Sequence, residues 1–231
     1  MSTVWKCPRL RNSGLAVDQD ARRYNYLGDF RRNPIVNPLG TESGKIEIFS
    51  KKIESYKYDD CPAHPTWLEP TEWLGAKMAE EYPFALLTSK SRYRLHSQLD
   101  STASNLFANV EDREPVWMHP DAAKKLGLKS GDIAKVTSRR GSVLAGVIVT
   151  DRIRPDTVVI HHGGWYSPEE PGEEGTLDVH GCDNVLTIDI PSSKLSCGNV
   201  ANSTQVKIER WDDELDPIMA HVQPKTVRAD D

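Results

Sequence analysis

The stretch Ile133–Thr150, with the sequence IAKVTSRRGSVLAGVIVT, decides the fold. Its two apolar parts, Ile133–Ser138 and Ser142–Thr150, are rich in Val, Ile and Ala, which favour strands. The polar tripeptide Arg139-Arg140-Gly141 between them predicts a hairpin turn. We therefore expect two adjacent strands of a mainly β domain here.

Short apolar runs also occur on both sides of this hairpin. They predict further strands at Phe84–Thr88, Pro115–His119, Thr157–His161 and Ser203–Glu209. A short helix is predicted over Pro120–Gly127, because Pro is favoured at the start of a helix and Gly just past its end. Many short strands with few short helices indicate a mainly β, α+β domain that closes as a β-barrel.

The first third of the chain is polar, rich in Pro and Asn, and weakly periodic. A short alternating strand is predicted at Ile46–Ser50 and a short helix at Glu72–Glu80, and neither suggests a core. The sequence thus divides into an extended N-terminal arm over residues 1–80, a barrel domain over residues 81–211 and a charged C-terminal tail over residues 212–231.

Composition excludes several classes of function. The 231 residues carry a formal net charge of −5 with both signs interspersed, which argues against nucleic-acid binding. No stretch approaches the apolar length of a membrane span, and the first residues show neither an apolar leader nor a twin arginine, so a cytoplasmic location is expected. The four cysteines form no Cys-x-x-Cys pair, which predicts free thiols rather than a zinc or iron–sulfur site.

Two polar clusters directly follow predicted strands. Ser91–Gln98 reads SRYRLHSQ and follows Phe84–Thr88, and His161–Tyr166 reads HHGGWY and follows Thr157–Ile160. Polar side chains at the ends of buried strands are typical of ligand sites. Because hydrogen-bond donors outnumber acceptors in these clusters, the ligand is expected to be polar and anionic.

Several segments, in order, resemble one protein family. They are Pro38–Ser50, His64–Pro70, Arg94–Gln98, Asp121–Val136, His161–Pro168, Asn184–Asp189 and Ser193–Leu195. Together they resemble the C-terminal cap domain of the molybdopterin oxidoreductases, in the dimethyl sulfoxide, trimethylamine N-oxide and biotin sulfoxide reductase branch. The resemblance runs from about residue 28 to about residue 210, which is nearly the whole chain.

The resemblance implies a double-psi β-barrel that caps two molybdopterin guanine dinucleotides (bis-MGD), which hold molybdenum or tungsten. The cofactor would be shared with upstream N-terminal catalytic domains, which also carry the serine ligand of the metal in this branch. Those parts are absent from the sequence, so the chain is expected to be a C-terminal fragment, a split-gene product or a truncated protein. The full enzyme would reduce S-oxides or N-oxides, the isolated chain would be inactive, and an upstream twin-arginine signal would direct the assembly to the periplasm.

The residues expected to bind the cofactor fall in three groups. They are Arg94, His96, Ser97 and Gln98 after the first strand, Gly163, Gly164 and Trp165 after a later one, and Asn184, Asp189 and Asn202 near the end. Arg suits phosphate or carbonyl groups, and Ser, Asn and Gln suit a pterin edge. No catalytic residue and no metal ligand is predicted. Structural alternatives stay open for several of them: a surface ion pair for Arg94, a packed core histidine for His96, a tight turn for the glycines, barrel packing for Trp165 and a turn or cap carboxylate for Asp189.

Two other functions also stay open. The chain could be an inactive stand-alone fragment or a subunit of a split enzyme, since its first third lacks a core. It could also be a double-psi barrel used as an interaction module, although such a barrel does not need the polar clusters after its strands.

Overall fold

Six strands close into a barrel within residues 67–231, the larger of the two units into which the chain divides. The computed structural model describes residues 25–223. The strands are β1 (Phe84–Leu87), β2 (Pro115–Met118), β3 (Ile133–Thr137), β4 (Ser142–Val149), β5 (Thr157–Ile160) and β6 (Thr204–Arg210). Around the barrel their order is β1-β5-β2-β4-β3-β6. The predicted mainly β barrel with short helices, of the double-psi type, is confirmed.

The hairpin of β3 and β4 forms as the sequence predicts. The two strands pair antiparallel, with Thr137 opposite Ser142 and Ile133 opposite Gly146. The turn is closed by the amide of Ser138, which donates to the carbonyl oxygen of Gly141 at 2.9 Å. Five consecutive residues of β4 are buried because both of its faces are covered.

The core lies inside the barrel and is almost wholly aliphatic. Its fully buried members include Leu86, Val116, Met118, Val136, Val143, Val147, Val158, Ile160, Leu186 and Val206. All six strands contribute to this list or to its partly buried neighbours. Closure of the barrel removes free sheet edges, so these short strands satisfy one another's backbone groups.

Helices are few and short in the larger unit. Helix α3 is the segment Ala103–Leu106, and α4 is the segment Pro120–Leu126. The α4 helix begins with Pro, its first turn is capped by the His119 side chain, which accepts from the amide of Asp121 at 3.1 Å, and it ends at Gly127 with φ +67°. The prediction of this helix is confirmed.

The smaller unit, residues 1–66, is described from residue 25 onward. It holds α1 (Gly28–Arg32) and α2 (Lys51–Tyr56), and none of residues 25–66 is buried. The predicted strand at Ile46–Ser50 is wrong: the segment is irregular, and Ile46 and Ile48 are exposed. Since no strand is present in residues 25–66, the segment has no partner with which to form a ladder.

The predicted helix at Glu72–Glu80 is mostly wrong, since only a 3₁₀ turn at Lys77–Glu80 forms. The first residue of the predicted helix, Glu72, is bound to distant residues instead. Its carboxylate accepts two hydrogen bonds from the Arg140 guanidinium and one from the backbone amide of Gln205. Glu72 is buried by these contacts. A distant partner thus determines the backbone where local sequence suggested a helix.

Residues 211–223 run along the outside of the barrel. Trp211, Leu215 and Ile218 pack against a second apolar cluster. The buried members of that cluster are Ile133, Leu144 and Val179. The segment is also held by backbone contacts, since the Arg113 guanidinium donates to the carbonyl oxygen of Asp216.

Two smaller observations complete the description. Within residues 25–223, no helix has the length and apolar character needed to cross a membrane. Cys61, Cys182 and Cys197 are free thiols, as predicted, and Cys7 lies outside the described residues.

The parallel pairing of β1 with β5 positions the polar clusters. Parallel strands bring their carboxyl ends to the same edge of a sheet, so the chain leaves both strands on one side of the barrel. The pairing continues past the strands as a parallel bridge between Lys90 and His162, where the His162 amide donates to the Ser89 carbonyl at 3.1 Å.

Candidate functional site

The two polar clusters meet beyond the ends of β1 and β5. We call residues 94–98 the first lip and residues 161–166 the second lip. The indole Nε1 of Trp165 donates to the carbonyl oxygen of Ser97 at 2.7 Å, and the rings of His96 and His162 lie 5.2 Å apart. The two lips are therefore in contact.

Arg94 joins the lips through its guanidinium group. Its Nη2 donates to the carbonyl oxygens of His161 and His162, each at 3.1 Å. Its Nη1 donates to Asp100 Oδ1 at 3.1 Å and also to Glu114 Oε2. The Arg94 side chain is fully buried, so its hydrogen bonds serve the protein itself.

The residues that surround Arg94 form a buried polar cluster. The Asn105 side chain accepts from Arg94 Nη1 at 3.2 Å and donates to the carbonyl oxygen of Asp100 at 2.9 Å. Burial raises the pKa of Glu114 to about 7, although the Arg94 guanidinium opposes that rise. One guanidinium thus holds two buried carboxyl groups and two backbone carbonyls in one place.

Gly163 is required by the close approach of the two lips. Its φ is +100°, and a Cβ at this position would lie 2.0 Å from the carbonyl oxygen of His96. That oxygen belongs to a residue whose own φ is +54°, within the first lip. The next residue, Gly164, is buried, and its Cβ position lies 3.4 Å from the carbonyl oxygen of Gly181. The space beside Gly163 is therefore filled by protein backbone.

The outward side of the first lip carries free polar side chains. His96, Ser97 and Gln98 are exposed, and within residues 25–223 the side chains of Ser97 and Gln98 make no hydrogen bond. Their backbone is fixed, because the amide of Gln98 donates to the carbonyl of Leu95 at 3.0 Å. Trp165, at 41% exposure, lies beside them. These side chains can bind a polar ligand without breaking contacts of the fold.

The three predicted site residues nearest the C-terminus differ in how they relate to the lips. Asn184 is exposed on the 3₁₀ turn Asp183–Val185, and Asp183 Oδ1 accepts from the amide of Gly163 at 3.3 Å. Asn202 Oδ1 accepts from the amide of Thr88, just after β1, at 2.9 Å. Asp189 is exposed, and within the described residues no contact connects it with the lips.

Sequence reasoning missed the buried acids behind the lips. Asp178 accepts hydrogen bonds at 2.7 Å from the amides of Ser167, Gly181 and Cys182, which shapes the loop behind the second lip. Burial raises the pKa values of Asp178 and Asp183. Each of these acids is a single residue in a loop, so the only local signal of their position in the sequence is the Gly181-Cys182-Asp183 turn.

Comparisons with known proteins show which proteins the chain resembles. A family model described as "Molydopterin dinucleotide binding domain" matches residues 84–205. The trimethylamine-N-oxide reductase of Haemophilus influenzae is 48% identical over 208 residues, which are 90% of this chain and 25% of that protein. The dimethyl sulfoxide/trimethylamine N-oxide reductase of Cereibacter sphaeroides is 46% identical over 183 residues, which are 79% and 22% of the two proteins.

A solved structure shares the fold. Acetylene hydratase from Pelobacter acetylenicus matches with a TM-score of 0.60 and 23% identity, over 76% of this chain and 24% of that one. At this identity the likeness concerns the fold alone. The chain spans about a quarter of the length of the curated relatives it matches.

Removing the Arg94 side chain should destabilise the barrel strongly. In Arg94→Met the carboxyl groups of Asp100 and Glu114 stay buried without their cation, and such a loss costs about 3–5 kcal/mol. Urea unfolding measures the change in free energy. Arg154→Met is the matched control, because Arg154 forms an exposed ion pair and its loss should leave the midpoint unchanged. Equal midpoints for the two variants would contradict the role given to Arg94.

A methyl group at Gly163 should separate the lips. Gly163→Ala places a Cβ against the His96 carbonyl, whereas Gly172→Ala has a similar φ of +96° with no atom within 4 Å. The control reports backbone strain alone, about 1–2 kcal/mol. We expect Gly163→Ala to lower the free energy of unfolding clearly further, and identical losses would show that the lips are not in contact.

Glu114 should make stability fall as the pH rises. Its pKa of about 7 lies above its ordinary value of 4.5, so the folded state holds the proton more tightly than the unfolded state. Its favourable contribution is complete below about pH 4.5 and is lost as the pH rises through about 7. The difference in unfolding free energy between Glu114→Gln and the unchanged protein, measured by urea titration at several pH values, should shift in favour of the variant over this window. A constant difference would be inconsistent with a buried, titrating Glu114.

Proposed function

Since the chain belongs to the molydopterin dinucleotide binding domain family, which it matches over residues 84–205, we propose that it binds molybdopterin guanine dinucleotide in a molybdenum oxidoreductase. The proposed enzyme reduces S-oxides or N-oxides. The similarity to trimethylamine-N-oxide and dimethyl sulfoxide reductases supports that substrate class. The observation that carries the proposal is the first lip, where polar side chains free of internal hydrogen bonds project from a rigid backbone.

The exposed residues of the lips fit the chemistry of a pterin. A pterin edge carries both hydrogen-bond donors and acceptors, and the Gln98 amide and the Ser97 hydroxyl each offer both. His96 and Trp165 add aromatic faces beside them, and Trp165 keeps its own N–H on the Ser97 carbonyl. We assign contact with the cofactor to these four residues. Asn184 is assigned to the same ligand from its exposed turn.

The other expected residues are given supporting or more distant roles. Arg94 is assigned as a positioning residue, because its guanidinium is buried and bonded to protein atoms. Gly163 and Gly164 allow the second lip to pass close to other backbone. Asn202 fixes the end of β1, and Asp189 remains a candidate for the guanine amino edge of the ligand.

The proposed chemistry divides between the cofactor and the chain. When bound, bis-MGD with its molybdenum ion supplies the two-electron transfer that, with two protons, converts the substrate oxide to the reduced substrate and water. The residues of this chain bind and orient the pterin, and the lips would cover one side of it and exclude water there. The metal ligand and the substrate funnel are assigned to further parts of the same enzyme, which this chain joins.

The outward side chains should determine affinity for the cofactor. The probe is purified molybdopterin guanine dinucleotide, titrated into the 231-residue chain while tryptophan fluorescence is recorded. The double variant Ser97→Ala/Gln98→Ala loses hydrogen bonds worth about 1 kcal/mol each, so its Kd should rise roughly tenfold or more.

Two comparisons make this test decisive. The control variant Ser101→Ala/Gln223→Ala changes the same residue types at exposed positions outside the lips and should keep the original Kd. A second readout joins the chain to the rest of a reductase and follows trimethylamine N-oxide consumption with a reduced dye. The same assay is repeated with dimethyl sulfoxide. An unaltered Kd in the lip variant, or a complete enzyme that reduces neither oxide, would count against the proposal.

A further inference from the structure

Three residues far apart in the chain meet behind the second lip. They are Asp100, His180 and His221, and one potential ligand atom from each lies within 4.8 Å of the others. Asp100 Oδ2 lies 2.7 Å from His221 Nε2 and 3.9 Å from His180 Nδ1. The two imidazole rings cross edge-on with centroids 4.9 Å apart. Two imidazoles and one carboxylate are a ligand set that Zn²⁺ accepts, with a fourth position left for water.

Of the two ring nitrogens of His180, one is bonded to the protein and the other is not, in the part of the chain that the structure describes. Its Nδ1 lies 2.8 Å from the carbonyl oxygen of Trp165, so in the neutral ring Nδ1 carries the proton and donates it. The lone pair then resides on Nε2, which is buried and has no hydrogen-bond partner among the described residues. Metal-binding histidines commonly donate their second nitrogen to a backbone carbonyl in this way. A cation bound at Nε2 would satisfy an acceptor that is buried and unpaired within residues 25–223.

Asp100 is also held from the opposite side. Its Oδ1 accepts from Arg94 Nη1 at 3.1 Å and from Asn105 Nδ2 at 3.3 Å. Its Oδ2 is directed towards His221 and the Trp165 amide. Ligating carboxylates are typically fixed by such hydrogen bonds to their other oxygen.

The charges around the three residues favour a cation. Asp100, Glu114, Asp178 and Asp183 are all buried and interact electrostatically with one another, with Arg94 or with His180. Arg94 is the one guanidinium that bonds to this group in the described part of the chain. Ionisation of all four carboxyl groups against one guanidinium would leave an excess of negative charge in a low-dielectric interior, which is why burial raises the pKa of Glu114, Asp178 and Asp183 and why a bound cation would be favourable here. An ion could enter past His221, whose side chain is 18% exposed.

We propose that Asp100, His180 and His221 bind one divalent transition-metal ion, with Zn²⁺ the preferred species. The ion would attach residues 211–223, which carry His221, to the loop that carries Asp100. It would also stabilise Trp165, whose amide donates to Asp100 at 3.3 Å and whose ring packs against His221 at 5.6 Å. The proposed ligands include none of the side chains assigned to the dinucleotide, although Trp165 contacts both Asp100 and His221.

Titration with Zn²⁺ alone tests this proposal. The 231-residue chain is treated with EDTA, dialysed and titrated with zinc sulfate in a calorimeter, and its zinc content is then measured after a second dialysis. We expect one retained Zn²⁺ per chain and a Tm that rises with zinc concentration, because the ion binds the folded state only. Magnesium chloride should have no such effect, since Mg²⁺ prefers oxygen ligands.

Two variants locate the ion and separate binding from folding. His221→Gln keeps an N–H that can bond to Asp100 but lacks the imidazole ligand, so its metal-free Tm should remain close to that of the unchanged protein. Its zinc affinity should fall roughly tenfold or more, which is the lower range for disturbing a metal site. His64→Ala, an exposed histidine of the smaller unit, should bind zinc normally. Failure of the unchanged chain to retain zinc, or equal affinity in both variants, would overturn the proposal.

Discussion

The arrangement of the lips depends on the burial of one guanidinium group. The Arg94 side chain is buried, so the hydrogen bonds that its guanidinium loses on folding are costly unless they are replaced inside the protein, and only its Nε lacks a partner among the described residues. Asp100, Glu114 and the carbonyls of His161 and His162 provide those bonds. Because these partners come from separate loops, the requirement to satisfy one cation brings the loops together.

This constraint leaves the outward side chains free for a ligand. The inward part of the first lip carries the charge that orders the loop, and the next residues, His96 to Gln98, turn outward. This change of direction, from the inward Arg94 to the outward side chains, arises from the tight turn between Leu95 and Gln98, in which His96 adopts a positive φ. A rigid loop loses little entropy when a ligand binds, so its polar groups can act as a preformed surface.

The barrel could be predicted from sequence because each of its strands is a short apolar run that can be recognised from its own residues. β3, β4 and α4 were predicted nearly to the residue, since a hairpin turn, Pro and Gly mark their ends. The errors occur where a distant partner decides the backbone. Glu72 binds Arg140, 68 positions away, and residues 25–66 contain no strand with which Ile46–Ser50 could pair.

The sequence is enough to locate the lips, but not to assign a role to each residue within them. Polar residues that directly follow strands were visible as motifs, whereas Asp100, Glu114, His180 and His221 are isolated residues separated by many positions. Arg94 was expected to face a ligand because Arg suits anions, and nothing local showed that two acids more distant in sequence would surround it. Burial of charge is a property of the assembled loops, so no local pattern reports it.

Asp100 connects Arg94 with Trp165 and His221. It accepts hydrogen bonds from Arg94 and Asn105 on one side and from the Trp165 amide and His221 on the other. An ionised carboxylate has about four lone-pair positions, which is enough for these four donors, whereas an amide side chain would offer its nitrogen to one of them and repel it. Any change that moves His221 must therefore shift the carboxylate that also fixes Trp165 and Arg94. The segment at residues 211–223 is thus connected to the lips through the His221 side chain.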